Sequence, residues 1–389
     1  MNDQLSAVEI KPLKRDLDGI VGVLLAPFLN GTVVGPGWKL ISWDAEQGIC
    51  MTFERDGTCV LLELEERNER LDCYTRTGRF NICARRQFED VQMSEADREL
   101  VDHVVSVVGE RESLLPSGPR PAAGRKPEVR EILVDRLLMP EGRHYYYINP
   151  YVGCMIACPF CYVIDRADFS RRLEGLPRLP WGHSVDVKIN AAAVLRRETQ
   201  HAKRGVVRLS PILTDPYQSV ERRYRITRQC LEVLVETDLA PVVLTRAPRI
   251  LEDLELFKRF RRALVGFSIP TDADEYRQIF EPRADPVDER FEALRAFHAA
   301  GVRTFAVIQP VLPMNVDRLV DKVAPFVQVV RLDRMYMGDR VQHLYDENQL
   351  SAFATEAYAD ETIQRLTLAF RARGVAVDPL NELEPLLGP

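Results

Sequence analysis

The chain has 389 residues, 46% of them hydrophobic and 28% charged, with a formal net charge of −6. That length exceeds one ordinary domain, and that composition excludes collagen-like, wholly disordered and disulfide-scaffold chains. The acidic balance excludes a global electrostatic drive toward nucleic acid and leaves open only a local basic groove.

The first residues, MNDQLSAVEIKPLKRDLDG, have no apolar core behind a basic start, so no secretory leader is expected. The apolar run Val21–Leu29 is interrupted by Gly22 and Pro27 and is too short to span a bilayer. The expectation is a soluble, cytoplasmic protein whose eight cysteines are reduced and serve metal, redox or packing roles. Residues 20 to 90 read as antiparallel sheet, with short apolar runs (Ile41–Trp43, Ile49–Phe53, Cys59–Leu64, Leu71–Tyr74) between turn signals. Asp56-Gly57 predicts a hairpin turn. Ser94 is a good helix N-cap, Glu95 and Asp97 suit the first turn, and Leu100, Val101, Val104 and Val108 form one apolar face. Residues 1–113 are therefore expected to form a small α+β accessory domain. Residues 114–128, with Pro116, Pro119, Pro121 and Pro127, read as a Pro-rich linker. Within it, Gly118–Arg125 departs from a phosphate loop: its lysine is displaced, and the prolines remove amides the cradle needs.

From about residue 129 short strands alternate with amphipathic helices. The predicted strands are His144–Ile148, Val185–Ile189, Val206–Leu209, Pro241–Thr245, Ala263–Ile269 and Arg303–Pro310, with a further one at Val327–Leu332. The predicted helices are Ala191–His201, Glu221–Thr237, Ile250–Arg262, Pro286–Ala300, Asp317–Pro325 and a terminal one near 352–373. Repeated βα units imply a parallel sheet with helices outside, here a partial (β/α)6 barrel over residues 129–350. Residues 351–389 are expected to be a helical extension. In such barrels the working residues gather at the C-terminal ends of the strands.

The strongest chemical signal follows the first of these strands. Cys154, Cys158 and Cys161 lie within eight residues, in Cys-Met-Ile-Ala-Cys-Pro-Phe-Cys-Tyr. Three sulfurs on one loop suit three corners of a cubane iron–sulfur cluster and leave its fourth iron open to a chelating ligand. Two other readings stand beside it. Zinc prefers four Cys or His ligands, and the nearest histidines are His144 and His183. Simple packing is disfavoured by the Gly and Pro content of the loop.

These residues resemble the radical S-adenosylmethionine superfamily, and the surrounding text resembles its spore photoproduct lyase-like subgroup. The stretches concerned are Tyr147–Cys154, Val187–Asn190, Thr214–Gln218 with Glu221, Leu244–Arg246 and Glu281–Arg283, in the family's order, across about residues 144–332. The resemblance implies a [4Fe–4S] cluster that chelates S-adenosylmethionine, an electron donor such as flavodoxin or ferredoxin, and cleavage to a 5′-deoxyadenosyl radical that abstracts hydrogen from a substrate. It implies that Lys188 meets the cofactor carboxylate; an exposed strand-end charge is the alternative. Ser210, Thr214 and Asp215 are placed to bond the cofactor, although such residues also build turns. Ser268 and Gln309 are candidates by position at strand ends. Arg283 is a candidate anion clamp or a surface ion pair with Glu281 or Asp285.

Cys230 reads as helix core, and Cys50, Cys59, Cys73 and Cys83 as packing residues of the N-terminal sheet. No cysteine follows Cys230, so the downstream cysteine that returns hydrogen in the subgroup's DNA-repair enzyme has no counterpart. Either a tyrosine such as Tyr336 takes that role, or the reaction needs no hydrogen return. A small-molecule or peptide substrate on a biosynthetic route is the leading expectation. Nucleic-acid lesion repair and a non-enzymatic zinc-binding interaction protein are the alternatives. The N-terminal unit is expected to present or cover the substrate.

Overall fold

Apolar residues alternate along Ile49–Arg55, Thr58–Glu66 and Phe80–Arg85, which puts Ile49, Met51, Phe53, Val60, Leu62, Leu64, Phe80 and Ile82 on one buried face of an antiparallel sheet. The computed structural model describes residues 13–14, 17–29, 37–45, 48–66, 73–85, 94–115, 127–142, 144–202, 204–209, 213–380 and 382–388. The sheet has five strands, with Lys39–Asp44 and Thr75–Arg76 at its edges. Asp56 (φ 51°) and Gly57 (φ 81°) are both left-handed, the backbone of the hairpin turn that Asp-Gly favours.

Two helices, α1 (Leu17–Leu29) and α2 (Glu95–Arg111), cover that face. At the start of α2, Ser94 and Asp97 form a reciprocal capping box. The helix α1 corrects the expectation of sheet from residue 20. Val21, Leu24, Leu25 and Phe28 are buried at helical spacing. Pro27 cannot donate to the Val23 carbonyl, and Arg111 does so instead, through Nε at 3.1 Å and Nη2 at 2.8 Å. A third helix, α3 (Val163–Leu173), which sequence periodicity missed, adds Phe169 and Leu173 to this core. Its Phe169 ring meets Phe80 edge-on at 6.0 Å.

The main sheet holds six parallel strands: β1 (Tyr145–Tyr147), β2 (Gly205–Leu209), β3 (Leu239–Thr245), β4 (Leu264–Ser268), β5 (Arg303–Ile308) and β6 (Val329–Leu332). Ala376–Val377 extends it in parallel, and Met139–Gly142 flanks β1 antiparallel. Val207, Leu209, Val243, Val265, Phe267 and Ile308 face the helices. The opposite, concave face begins with an apolar floor of Val206, Val242, Leu264, Phe305 and Val329, closed by Leu383 and Leu387. The C-terminal segment is thus tied into the barrel: beyond its helix, Glu356–Ala372, it adds a strand and a plug.

Val185–Ile189 is not the second barrel strand. β1 pairs directly with β2 (Tyr145↔Val206, Tyr147↔Arg208). Ser184–Lys188 instead joins a four-stranded sheet, parallel to Glu128–Leu133 and antiparallel to Tyr151–Val152. Asp186 fixes that register by accepting from Arg130 Nε at 2.7 Å and Nη2 at 2.6 Å. The expected helix Glu221–Thr237 breaks at Arg225 (φ 54°) into Glu221–Tyr224 and Ile226–Leu234. Ile250–Arg262 shortens to a 3₁₀ turn, Pro248–Asp253, followed by Leu254–Phe257. Most of the Pro-rich stretch, including Gly118–Arg125, lies outside the described residues. Among the described residues no helix is long and apolar enough to cross a membrane.

The floor has no spare room. A Cβ on Gly266 would lie 2.2 Å from the Phe305 ring. Gly266→Ala is expected to destabilise the barrel by roughly 1–3 kcal/mol through overpacking; a urea melt with an unchanged midpoint would contradict this packing.

Candidate active site

After β1 the chain turns sharply at Gly153 (φ +89°), where an added Cβ would stand 2.3 Å from the Ser184 carbonyl oxygen. Only glycine fits that approach. The loop that follows is clamped from the segment after β2. Thr214 Oγ1 and Gln218 Nε2 both donate to the Gly153 carbonyl, each at 2.8 Å. Gln218 Oε1 accepts from the Met155 amide at 2.7 Å, and the Gly153 amide donates to Leu213 O at 3.0 Å. Further along, the Cys161 amide donates to Cys158 O at 3.1 Å, and Trp181 Nε1 donates to the same oxygen at 3.1 Å. Arg340 donates to Cys161 O at 3.4 Å and pairs with Asp165 at 2.5 Å. Phe160, Phe280, Leu312, Val341 and Tyr345 pack around the cysteines as an apolar shell.

That shell sets the electrostatics. Burial pushes each of the three thiols up to about 12; Asp215 adds to the effect at Cys154, and Arg246 opposes it at Cys158. A thiolate in such a place requires cationic partners. Arg246, at the end of β3, supplies one: its Nη1 lies 3.0 Å from Cys158 Sγ. The same guanidinium donates to Ser268 Oγ at 3.3 Å and pairs with Glu281. Glu281 also accepts from Arg290 at 2.8 Å, and both of those side chains are fully buried. Asp215 accepts from Thr245 Oγ1 at 2.6 Å, from the Arg246 amide at 2.9 Å and from the Tyr217 amide at 2.9 Å. It therefore fixes the backbone from which Arg246 reaches the sulfur.

The donor set fits an iron–sulfur cluster. It is three sulfurs on one loop, dry, beside a cation, and the remaining positive charge that thiolates need there is what cluster irons bring. Among the described residues no group of three or more His, Cys, Asp and Glu side chains gathers as a single metal ion requires, and this includes the three cysteines themselves.

The structure brings Cys154, Cys158, Cys161, Thr214, Asp215 and Ser268 into one network. Gln309 and Tyr336 meet elsewhere on the rim, where both donate to Asp333 Oδ2, at 3.3 and 2.8 Å. Arg283 is exposed and donates to Gly182 O at 3.3 Å; the carboxylate of Glu281, its expected partner, is held by Arg246 and Arg290 instead. Lys188 is fully buried, not an exposed strand-end charge, and lies within electrostatic reach of Cys230. It sits in the four-stranded sheet and not on a barrel strand. Ser210 lies outside the described residues. Sequence reasoning missed Arg246, Glu281, Arg290 and Gln218 as functional groups. Three of the four stood inside motif stretches already singled out, but only the fold shows that they touch.

Residues 148–323 match the family model described as the radical SAM superfamily. An uncharacterised protein of Methanocaldococcus jannaschii is 25% identical over 232 residues, which cover 57% of this chain and 85% of that protein. An uncharacterised protein of Mycobacterium bovis is 29% identical over 177 residues, 44% of this chain and 51% of that protein. Among solved structures, spore photoproduct lyase complexed with dinucleoside spore photoproduct aligns at TM-score 0.46 and 15% identity, covering 63% of this chain and 81% of that one. Streptococcus suis SuiB bound to precursor peptide SuiA aligns at TM-score 0.39 and 12% identity, covering 79% and 58%.

Removing Glu281 leaves the fully buried Arg290 guanidinium without its carboxylate and takes from Arg246 the carboxylate it is paired with. Glu281→Ala is expected to cost roughly 3–5 kcal/mol of stability, read by chemical denaturation. A loss under about 1 kcal/mol would show that water already screens the network.

Proposed function

We propose, from the match of residues 148–323 to the radical SAM superfamily, whose members use a [4Fe–4S] cluster and S-adenosylmethionine, that this chain is a radical SAM enzyme and that Cys154, Cys158 and Cys161 hold three irons of the cluster. The observation that carries the assignment is the three-sulfur loop, with Cys154 and Cys158 buried, Cys161 partly so and Arg246 against Cys158. When bound, the cluster and S-adenosylmethionine supply one-electron cleavage of a carbon–sulfur bond, which yields methionine and a 5′-deoxyadenosyl radical.

The chain's own residues prepare the place for that chemistry. Gly153, Thr214 and Gln218 fix the loop, Arg246 stabilises a thiolate, and Phe160, Phe280, Leu312 and Tyr345 exclude water. Lys188 is proposed to meet the cofactor carboxylate, with Ser268 and Gln309 at neighbouring strand ends as further contacts. Tyr336 is proposed as the hydrogen donor that replaces the missing downstream cysteine; the residue is exposed and its hydroxyl is bonded to Asp333. The net charge of −6 supports a small-molecule or peptide substrate over duplex nucleic acid. The N-terminal unit is proposed as a fixed wall of the site: Tyr147, at the end of β1, donates to Asp44 at 2.5 Å, and α3 shares its core.

Anaerobic reconstitution should give a brown protein that forms 5′-deoxyadenosine from S-adenosylmethionine under reduction. The Cys154→Ala/Cys158→Ala/Cys161→Ala variant should lose both the cluster absorbance and the product. Iron in that variant equal to wild type would overturn the ligand assignment. Lys188→Met should keep the cluster spectrum but weaken S-adenosylmethionine binding by roughly tenfold or more, about 1.4 kcal/mol; unchanged affinity would remove Lys188 from the cofactor site.

A further inference from the structure

The helix Ile226–Leu234 begins without a cap of its own. Arg225, the residue before it, is left-handed (φ 54°), and its side chain makes no cap hydrogen bond. The first amides of a helix have no partner inside it and need an acceptor from elsewhere. Two other side chains supply one. Tyr151 Oη accepts from the Ile226 amide at 3.2 Å. Glu221 Oε2 accepts from the Thr227 amide and Glu221 Oε1 from the Arg228 amide, each at 3.0 Å. Tyr151 Oη in turn donates to Glu221 Oε2. Tyr151 is fully buried and Glu221 nearly so.

Tyr151 belongs to the short strand that enters the cysteine loop, three residues before Cys154. Its backbone is paired with Val187 in the four-stranded sheet. Glu221 is the third side chain that the segment after β2 sends to this loop. Thr214 and Gln218 take the Gly153 carbonyl, and Gln218 also takes the Met155 amide. Glu221 takes Tyr151, on the other side of the turn at Gly153. The segment is closed on itself, with the Gln218 amide donating to Asp215 O at 3.2 Å and the Glu221 amide to Gln218 O at 2.9 Å. The loop is thus held on both sides of its first sharp turn. Without Glu221 the buried Thr227 amide and the Tyr151 phenol lose their acceptor, which costs more than the net worth of either bond.

We propose that Glu221 is a positioning residue of the iron–sulfur site: through Tyr151 it fixes the entry of the cysteine loop, and so the place of Cys154, with the N-terminus of Ile226–Leu234 as its anchor. Glu221 acts through Tyr151 and not on the sulfurs. The proposal rests on the radical SAM reading for what the loop binds.

The test is amide hydrogen exchange, read by mass spectrometry over residues 151–161 of the full-length, reconstituted protein. Tyr151→Phe and Glu221→Gln should each speed exchange there by roughly tenfold or more, the effect of losing one buried, charge-assisted hydrogen bond. The double variant should exchange no faster than the faster single variant, because both changes break one link. Formation of 5′-deoxyadenosine should fall severalfold in both single variants at equal iron content. Arg228→Ala is the control for helix stability: it breaks side-chain pairs with Glu232 and Asp253, and should lower the melting temperature while loop exchange stays as in wild type. If Glu221→Gln does not fold, Tyr151→Phe alone carries the same expectation. Wild-type exchange in either single variant, effects that multiply in the double variant, or equal loop opening in Arg228→Ala would each overturn the proposal. A faster-exchanging loop with undiminished 5′-deoxyadenosine formation would do so as well. Wild type that holds no iron or makes no 5′-deoxyadenosine would sink the radical SAM reading, whereas the exchange comparison decides by itself whether Glu221 holds the loop.

Discussion

Glu281, itself fully buried, holds two guanidinium groups, that of Arg290 fully buried and that of Arg246 largely so. Everything at the mouth of the barrel depends on that carboxylate. Through Arg246 it sets a cation against Cys158; through Arg290 it ties in the Ser268 carbonyl at the end of β4. Asp215 holds the Arg246 amide from the other side, and its neighbours Thr214 and Gln218 clamp the cysteine loop. The ends of β2, β3 and β4 and the loop after β1 are therefore joined by one chain of charged and neutral hydrogen bonds. In a medium of low dielectric such a chain is stiff when complete and costly when broken.

Height in the barrel sorts the chemistry. The floor is apolar and filled, with Phe305 lying across Gly266. One pleat higher the concave side carries Arg208 and Arg331, the latter paired with Asp333, and the rim carries Gln309 and Arg246. The N-terminal unit is not an independent neighbour of this arrangement. The helix α3, which leaves the cysteine loop through Tyr162, places Phe169 and Leu173 in the core of that unit. Movement of the unit and movement of the loop are thereby mechanically linked.

Much of this was legible because the signals were local. The face Leu100–Val108 with its Ser94 cap, the Asp56-Gly57 turn and the spacing of the three cysteines are each written within a few consecutive residues. The misreadings have long-range causes. α1 survives Pro27 because Arg111, 88 residues from Val23, takes the stranded carbonyl. Ser184–Lys188 carries the alternation of any barrel strand, and only pairing with Glu128–Leu133 shows which sheet it joins. Arg246, Glu281 and Arg290 each look like surface charges in the sequence. Their burial comes from strands and turns that meet only in the folded chain.

Leu383 and Leu387 have one more effect. By packing against Val206, Val242, Leu264, Phe305 and Val329 they cover an apolar surface that strand pairing alone would leave bare, so a chain shortened before Leu383 would expose a sticky patch at the end of the sheet opposite the cysteines.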